Sequence, residues 1–577
     1  MAVYEDFLNK IDQFVNNKLQ NYTPTDSYGK VIHDPIWGSV FYYHWEIQII
    51  DAPLYQRLRD INQVGLAMLT YPAARHSRFE HSLGTVAIAS RIFERIMEKN
   101  RRAGSEDIPY LNEEGLYLIR LAALLHDIGH CFYSHLSETI YGETDAFKEL
   151  IDDFKESHEG IKPKAHEILS FLIINTPSFI DFFKKRVDYP YKSDCEQLMG
   201  MVGNIIVGVP NKKEDMEKSK VFSYLTSLIN GDFDADKLDY IMRDSYTAGL
   251  ALTYDIERFL YKINIYNHDS EGAINYLLVI EFSGITSVEE LTFSKLMLFS
   301  YIYHHQKILA AEAVLRDVVF GMINLGIVEH PCDFLALTDS DIMARLKNDD
   351  RKPFDGSNKT LGDLIKQVAE RDLPKKCFVL NRKMVRIDES DIIRQKETIL
   401  KECYDMITNN KEEGMACVFL ENFAMQYTRL DDGNHSNGIR SLEDTLNRYR
   451  KNTYEQYIEL RKKFHTCLAE EYKKNELEID FDFLDIHIII PKKANFTSSN
   501  STVVLFPDKH LQELSSVMNL NDWGDSFNAN KWNGYVFVNS NINIKMAYNT
   551  AEKIIIDNQA IKLVNSESYV KHLAEMQ

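Results

Sequence analysis

The chain has 577 residues, a formal net charge of −20, 45% hydrophobic and 26% charged side chains, and 31 each of Tyr and Phe. That length exceeds one ordinary core, so a globular protein of two or more domains is expected. The acidic balance excludes a whole-chain electrostatic affinity for nucleic acid or an anionic membrane, and leaves open a local basic pocket for a polyphosphate. Residues 1–29 read as an acidic amphipathic helix and a polar connector, without the basic start and apolar run of a secretory signal. No stretch reaches the ~20 apolar residues that a membrane helix needs. Seven cysteines, an odd number with no Cys-x-x-Cys pair, fit free thiols in a reducing compartment. The cytoplasm is the expected location.

From 30 to 330, apolar residues recur every three or four positions, which predicts helices over 51–69, 82–99, 116–128, 166–174, 236–249 and 288–322. The β-branched run 274–283 reads as a strand or hairpin arm. Residues 331–475 read as a helical extension with two polar, turn-rich breaks at 347–358 and 431–438, then a charged helical stretch over 440–476. The last region, 476–577, changes character. Strand-like runs at 481–491, 502–506 and 535–539, with a short apolar run at 551–556, predict a small α+β region. The fold class expected is mainly α: a helical core with a smaller α+β C-terminal region.

Four short pieces, far apart, carry the chemistry: Arg78-Phe79-Glu80-His81, Leu125-His126-Asp127-Ile128-Gly129-His130, Ala165-His166-Glu167 and Asp234-Ala235-Asp236-Lys237-Leu238-Asp239-Tyr240. His126 followed at once by Asp127 sits in an apolar stretch. There an unpaired carboxylate costs several kcal/mol, so the pair needs a partner network or a metal. Imidazole plus carboxylate suits a divalent ion such as Fe, Mn, Zn, Ni or Mg. His81 upstream and Asp236 downstream complete a half-open set with positions left for water and a phosphate oxygen. On a helix, His126 and Asp127 flank one metal and His130 lies a turn further on. His130 and the nearby His135 face substrate and are suited to proton donation near neutrality. Gly129 removes bulk where phosphate or another helix approaches. Asp236, Tyr240 and Asp244 fall at i, i+4 and i+8, and Lys237 beside them suits phosphate oxygens.

These pieces resemble the HD superfamily of metal-dependent phosphohydrolases, and more narrowly the branch of SAM-and-HD-domain deoxynucleoside triphosphate triphosphohydrolases. The resemblance also covers Lys30-Val31-Ile32-His33-Asp34-Pro35-Ile36-Trp37-Gly38, residues 50–63, Ser134-His135 and Arg243-Asp244, about the first 330 residues. It implies that His81, His126, Asp127 and Asp236 bind the metal, and that His130, His135 and His166 surround the phosphates and supply acid chemistry. Arg78, Lys237 and Tyr240 would hold the triphosphate, with Gln63 and Asp244 near the sugar. The implied reaction releases a deoxynucleoside and inorganic triphosphate from a dNTP. Lys30, Val31, Asp51, Gln56 and Arg59 match an allosteric guanine-nucleotide site between subunits, which implies a homo-oligomer, dimer or tetramer.

The chain departs from the branch in three ways. Only about thirty residues precede the match, so no SAM domain is expected. Lys295 stands at the position of the branch's arginine, a point charge where a planar fork is usual. The later Tyr-x-His-Lys element reads Tyr303-His304-His305-Gln306-Lys307. Two other readings stay open: an HD phosphohydrolase on another phosphate, such as a nucleoside monophosphate or a nucleic-acid end, and a nucleotide-sensing scaffold; a cyclic-dinucleotide substrate is disfavoured, since no Gly-Tyr-Pro element follows the HD motif.

Overall fold

The computed structural model describes residues 2–26, 28–104, 108–158, 163–192, 194–209, 216–252, 254–270, 273–380, 385–387, 450, 453–493, 502–555 and 561–563. They are mainly helical, with small sheets. After α1 (Ala2–Leu19), the antiparallel hairpin of β1 (Lys30–Asp34) and β2 (Gly38–Tyr42) leads into α2 (His44–Ile50) and the short α3 (Pro53–Gln56). The helical core follows as α4 (Arg78–Ala103), α5 (Glu113–Leu125), α6 (His135–Tyr141), α7 (Asp145–Ser157), α8 (Ala165–Ile174), α9 (Pro177–Arg186), α10 (Cys195–Val207), α11 (Met216–Ile229) and α12 (Ala235–Thr247). Next come α13 (Ile256–Lys262), the hairpin β3 (Ile263–Ser270) and β4 (Ala273–Glu281), α14 (Ile285–Leu298) and α15 (Gln306–Asn324).

Each site-bearing helix starts and stops for a local reason. Ser77 caps α4 in a capping box with Glu80, and Gly104 ends it at φ +59°. Asn112 caps α5 by accepting from the Gly115 N–H. Every residue from Gly115 to Leu125 is buried, so α5 is a core helix without a solvent face. The one charge in that buried stretch, Arg120, donates to both carboxylate oxygens of Glu46 (2.8 and 2.6 Å) and to Ser90 Oγ (2.7 Å). Helix α4 packs against α5 and α12, which brings three of the four chemical pieces together.

Three expected helices end differently. The stretch 51–69 is α3 followed by 3-10 turns at Arg57–Asp60 and Ala67–Leu69, because Asn62 pairs as an extended bridge with Ser77 and Gln63 N–H donates to His76 O. The stretch 288–322 is interrupted by a π turn, Phe299–Tyr303, before His305 caps α15. The helix expected to reach Ile128 stops at Leu125, so His126 and Asp127 lie at a helix end and not inside a helix.

The hairpin expected around 274–283 is β3–β4. The C-terminal strand Val503–Leu505 lies parallel to β4, with Val503 opposite Val279, and extends that sheet. A second sheet orders Lys375–Leu380, Gly534–Val538 and Ile486–Ile489. The helix Tyr454–Lys474 is tied to α15 by the fully buried pair Arg461–Asp317 (2.7 Å). The run 551–556 is helical as far as Ile555, in the helix Ile544–Ile555. The break at 431–438, positions 440–449 and two cysteines, Cys403 and Cys417, lie outside the described residues. The five described cysteines are free thiols, and no described helix is long and apolar enough to cross a membrane.

Glu312 on α15 has no hydrogen-bond or ion-pair partner among the described residues, and burial pushes its carboxyl up from 4.5 to about 7. A raised carboxyl stabilises the fold below its unfolded value, and that contribution is lost as pH rises through about 7. Glu312→Gln is therefore expected to gain on wild type by on the order of 2 kcal/mol between pH 5 and pH 8 in chemical unfolding. A difference that does not change with pH would contradict this.

Candidate metal centre

The four expected ligands converge. His81 Nε2 lies 3.0 Å from Asp236 Oδ1 and 3.6 Å from Asp127 Oδ2, and His126 Nε2 lies 3.4 Å from Asp127 Oδ1 and 3.9 Å from Asp236 Oδ1. Both rings are aimed by their other nitrogen. His81 Nδ1–H donates to Asp239 Oδ2 (2.8 Å), and His126 Nδ1–H donates to Ala123 O (2.8 Å). The Nε2 lone pairs are thereby turned inward. His126 Nε2 is buried without a hydrogen-bond partner, and the buried His81 Nε2 faces only the carboxylates of Asp236 and Asp127, so the space between the two rings suits a cation. A divalent ion fits: two imidazoles with the tautomer fixed from behind, and two carboxylates, form a borderline-to-hard donor set. His81, His126 and Asp127 form one group whose ligand atoms can share an ion.

The electrostatics fit the same ion. Burial pushes the Asp127 carboxyl up, but His126, Arg78 and His130 outweigh it and hold it well below the usual range. Burial likewise opposes ionisation of Asp236, and His81, His126 and Lys164 reverse it. For His81, burial lowers the ring's pKa while Asp236, Asp239 and Asp127 raise it to about 10.

The turn that carries His126 and Asp127 is held by its neighbours. Ser170 Oγ donates to His126 O and accepts from Gly129 N–H, and the buried Arg57 donates to His130 O (2.7 Å) and Ile128 O. Gly129 is required by the approach of α8: a Cβ there would lie 2.4 Å from His166 O and from Ser170 N.

Beside the ligands, His130 stacks on His166 (3.9 Å between centroids) and has no partner at either ring nitrogen, with Nε2 3.3 Å from Asp127 Oδ1. His135 and His166 both donate from Nδ1 to Glu138 (2.7 and 2.9 Å). Burial lowers the pKa of His130 and His135, whereas Glu138 overcomes burial and raises that of His166. Asp244 is bridged by His76 Nε2 (2.8 Å) and Tyr303 OH (2.5 Å).

Not every expected binding residue stands free. Arg78 is buried and already donates to Asp127 Oδ2 (2.8 Å) and Ser134 Oγ (2.9 Å). Lys237 donates to Asp234 Oδ2 (2.6 Å) and Gly231 O (2.7 Å). Gln63 Oε1 is buried without a partner, and Tyr240 is half-buried near Asp236 and Asp234. A small pocket adjoins the centre, lined by His126, Lys164, His166, Glu167, Asp236 and Lys237 among others. Away from it, Lys30 pairs with Asp51 (2.7 Å), Gln56 donates to Ile50 O, and Arg59 donates to Gln56 and stacks on Phe79, with Val31 65% exposed nearby.

Sequence reasoning missed Asp239, Glu138, His76 and Lys164. Asp239 and Arg243 stood in the quoted motif at i and i+4, a spacing that announces an ion pair. Glu138, three residues after His135, carried the same kind of signal. His76 and Lys164 carried none.

The HD domain profile matches residues 78–173, a span that holds three of the four expected ligands and all three further histidines. Residues 78–173 are an HD domain. An HD-associated region matches residues 254–429. An uncharacterized protein of Methanocaldococcus jannaschii is 30% identical over 295 residues, 51% of this chain and 50% of the relative. A deoxynucleoside triphosphate triphosphohydrolase SAMHD1 homolog of Dictyostelium discoideum is 26% identical over 375 residues, 64% of each chain. The deoxynucleoside triphosphate triphosphohydrolase SAMHD1 of Homo sapiens is 28% identical over 256 residues, 42% of this chain and 37% of that protein. The chain thus spans less than two thirds of the length of these curated relatives. A crystal structure of a hypothetical protein from Aquifex aeolicus shares the fold, with a TM-score of 0.52 at 19% identity over 90% of this chain and 99% of that one. The chain carries an HD domain and resembles the dNTP triphosphohydrolase branch of that superfamily.

A metal binds the neutral ring, and Asp236, Asp239 and Asp127 favour a protonated His81 in the metal-free centre, so loading is expected to release a proton. Mn²⁺ affinity measured by titration calorimetry is expected to rise about tenfold per pH unit between pH 6.5 and 8. A flat profile would show that His81 carries no proton in the metal-free protein.

Proposed function

We propose that the chain is a metal-dependent phosphohydrolase that converts dNTPs to deoxynucleoside and inorganic triphosphate. The observation that carries this is the convergence of the buried His81 and His126 Nε2 atoms on the carboxylates of Asp127 and Asp236, all within 3.9 Å. The relatives named as deoxynucleoside triphosphate triphosphohydrolases support the choice of substrate.

His81, His126, Asp127 and Asp236 would hold the ion, which when bound supplies a more acidic water and neutralises charge on phosphate oxygens. In the reaction, water oxygen adds to the α-phosphorus, the bond to the sugar oxygen breaks, and that oxygen takes a proton. His166 suits the donor role, because Glu138 raises its pKa while those of His130 and His135 are lowered. His130, stacked on His166, and His135, sharing Glu138 with it, hold that ring in place and border the phosphates. Arg78, Lys237, Lys295 and Tyr240 serve the triphosphate. Gln63 and the Asp244–Tyr303 pair serve the sugar. Each subunit of a dimer or tetramer would present Lys30, Val31, Asp51, Gln56 and Arg59 to an activating guanine nucleotide, since Asp can accept two hydrogen bonds from the guanine edge and Arg can stack.

Purified protein with Mn²⁺, given each dNTP singly and then as a mixture, is expected to release deoxynucleoside and triphosphate, resolved by anion-exchange chromatography. Asp127→Ala is expected to abolish both turnover and metal binding. Hydrolysis in the mixture only, lost in Asp51→Asn, would support the activating site. No turnover of any dNTP by metal-loaded protein, with turnover of a monophosphate instead, would replace this reading with the other phosphohydrolase one.

A further inference from the structure

Asp339, the first residue of the helix Asp339–Leu346, lies in the span that matches an HD-associated region, yet its carboxylate reaches the HD domain. It is 7% exposed, and both of its side-chain oxygens are met by N–H donors. Oδ1 accepts from Tyr133 N–H (2.6 Å), and Oδ2 accepts from the backbone and side-chain N–H groups of Asn62 (3.0 and 2.7 Å). Ser134 Oγ closes the ring by donating to Asn62 O (2.7 Å). The ring holds a turn in an unfavourable shape. Tyr133 has φ 51°, and Ser134, at φ 49° and ψ −117°, has the first central conformation of a type II′ turn, where glycine is usual. Such backbone persists only where surrounding contacts over-determine it.

The next residue is His135, which opens α6, and the same ring seats Arg78. Ser134 Oγ accepts from Arg78 Nε (2.9 Å), while Arg78 Nη2 lies 3.4 Å from Gln63 O and 3.5 Å from His135 Nε2. The two ligand imidazoles, in contrast, are aimed by Asp239 and by Ala123 O, which take no part in this ring. We infer that Asp339 is a positioning residue: through Asn62 and the Tyr133–Ser134 turn it sets where Arg78 and His135 stand beside the metal centre. Its consequence for turnover rests on the phosphohydrolase reading above; its geometry does not. The carboxylate must be ionised, since a neutral acid would turn its O–H toward one of those N–H donors. Burial pushes the carboxyl up to about 6, with the three N–H donors and Arg78 opposing. The Tyr133 phenol also faces this residue, its OH 3.4 Å from Asp339 O, and Asp341 on the same helix is turned to Thr338.

The test uses the full chain with Mn²⁺ and compares wild type with Asp339→Asn, which keeps the shape and sets an amide N–H against N–H donors. Crystal structures are expected to show the variant's 133–134 turn relaxed to negative φ and His135 drawn away from Arg78. Its kcat/KM for a dNTP should fall by on the order of tenfold to a hundredfold at neutral pH, with Mn²⁺ affinity unchanged. The ratio of wild-type to variant kcat/KM should shrink as pH falls through about 6, where protonation takes the same acceptor from wild type. If Asp339→Asn does not fold, Asn62→Ala, which removes one of the three donors at a partly buried position, carries the same expectations in smaller measure. A turn and a His135 that stay in place in the variant, or a kcat/KM equal to that of wild type, overturns the inference. A loss that does not vary with pH shows a merely structural role and overturns it too. If wild type turns over no dNTP, the phosphohydrolase reading fails, and the two crystal structures alone decide the role of Asp339.

Discussion

Asp239 is fully buried, and a carboxylate with no water around it must be met by donors on every side. Its Oδ2 accepts from His81 Nδ1 and Arg243 Nε (2.8 Å each), and its Oδ1 from Arg243 Nη2 (2.8 Å) and Trp37 Nε1 (2.5 Å). Arg243 reaches on to Asp34 Oδ2 (2.8 Å). One anion therefore joins the N-terminal hairpin, α4 and α12, and fixes the face that His81 presents to the metal position. The packing around it is tight enough to dictate sequence. A Cβ on Gly84 would lie 2.0 Å from Asp239 Oδ1 and 2.1 Å from Arg243 Nη2, so α4 needs glycine one turn after His81. The centre is thus organised from behind, by residues that never face the pocket.

On the other side of the site the backbone itself is strained. Tyr133 and Ser134 hold φ of 51° and 49°, a conformation that bulky residues adopt only under constraint. The constraint is Asp339, which accepts from Tyr133 N–H (2.6 Å) and from the backbone and side-chain N–H groups of Asn62 (3.0 and 2.7 Å). Ser134 Oγ in turn donates to Asn62 O and accepts from Arg78 Nε. The turn that delivers His135 is therefore set by a residue some two hundred positions away. Burial pushes Asp339 up to about 6 against those three donors, a sign of how little solvent reaches the junction.

This division explains what could be read from the sequence. The His126-Asp127 pair was legible because a carboxylate in an apolar run has few inexpensive explanations. The end of α5 was not, since the apolar pattern continues to Ile128 and only Arg57 and Ser170, from elsewhere, claim the carbonyls of 126, 128 and 130. The break in 288–322 was hidden for a related reason. A π turn shifts the register by a fraction of a turn, which three- and four-residue spacing does not resolve, yet it places Tyr303 against Asp244. Glu138 and Asp239 followed visible i, i+3 and i, i+4 signals that ligand-seeking overlooked. His76, Lys164 and Asp339 became meaningful only through long-range contacts.

The same reasoning bears on the C-terminal residues, whose sequence suggested a small α+β region built onto the helical core. Strands Val503–Leu505 and Leu511–Glu513 complete the sheet begun by β3 and β4, and Thr502 Oγ1 donates to Asp232 Oδ2 (2.8 Å). Asp232 lies two residues before Asp234, the cap of α12 and the partner of Lys237. Arg461 and Asp317 meet in full burial between the helix Tyr454–Lys474 and α15. Separating a buried pair of this kind leaves a bare charge in the core, a cost of about 3–5 kcal/mol. The tail is thus bound to the core by a contact that resists opening, and one hydrogen bond links its strand to the segment that presents Asp236. A substitution at Thr502 would remove the Oγ1 hydrogen bond to Asp232, four residues before Asp236.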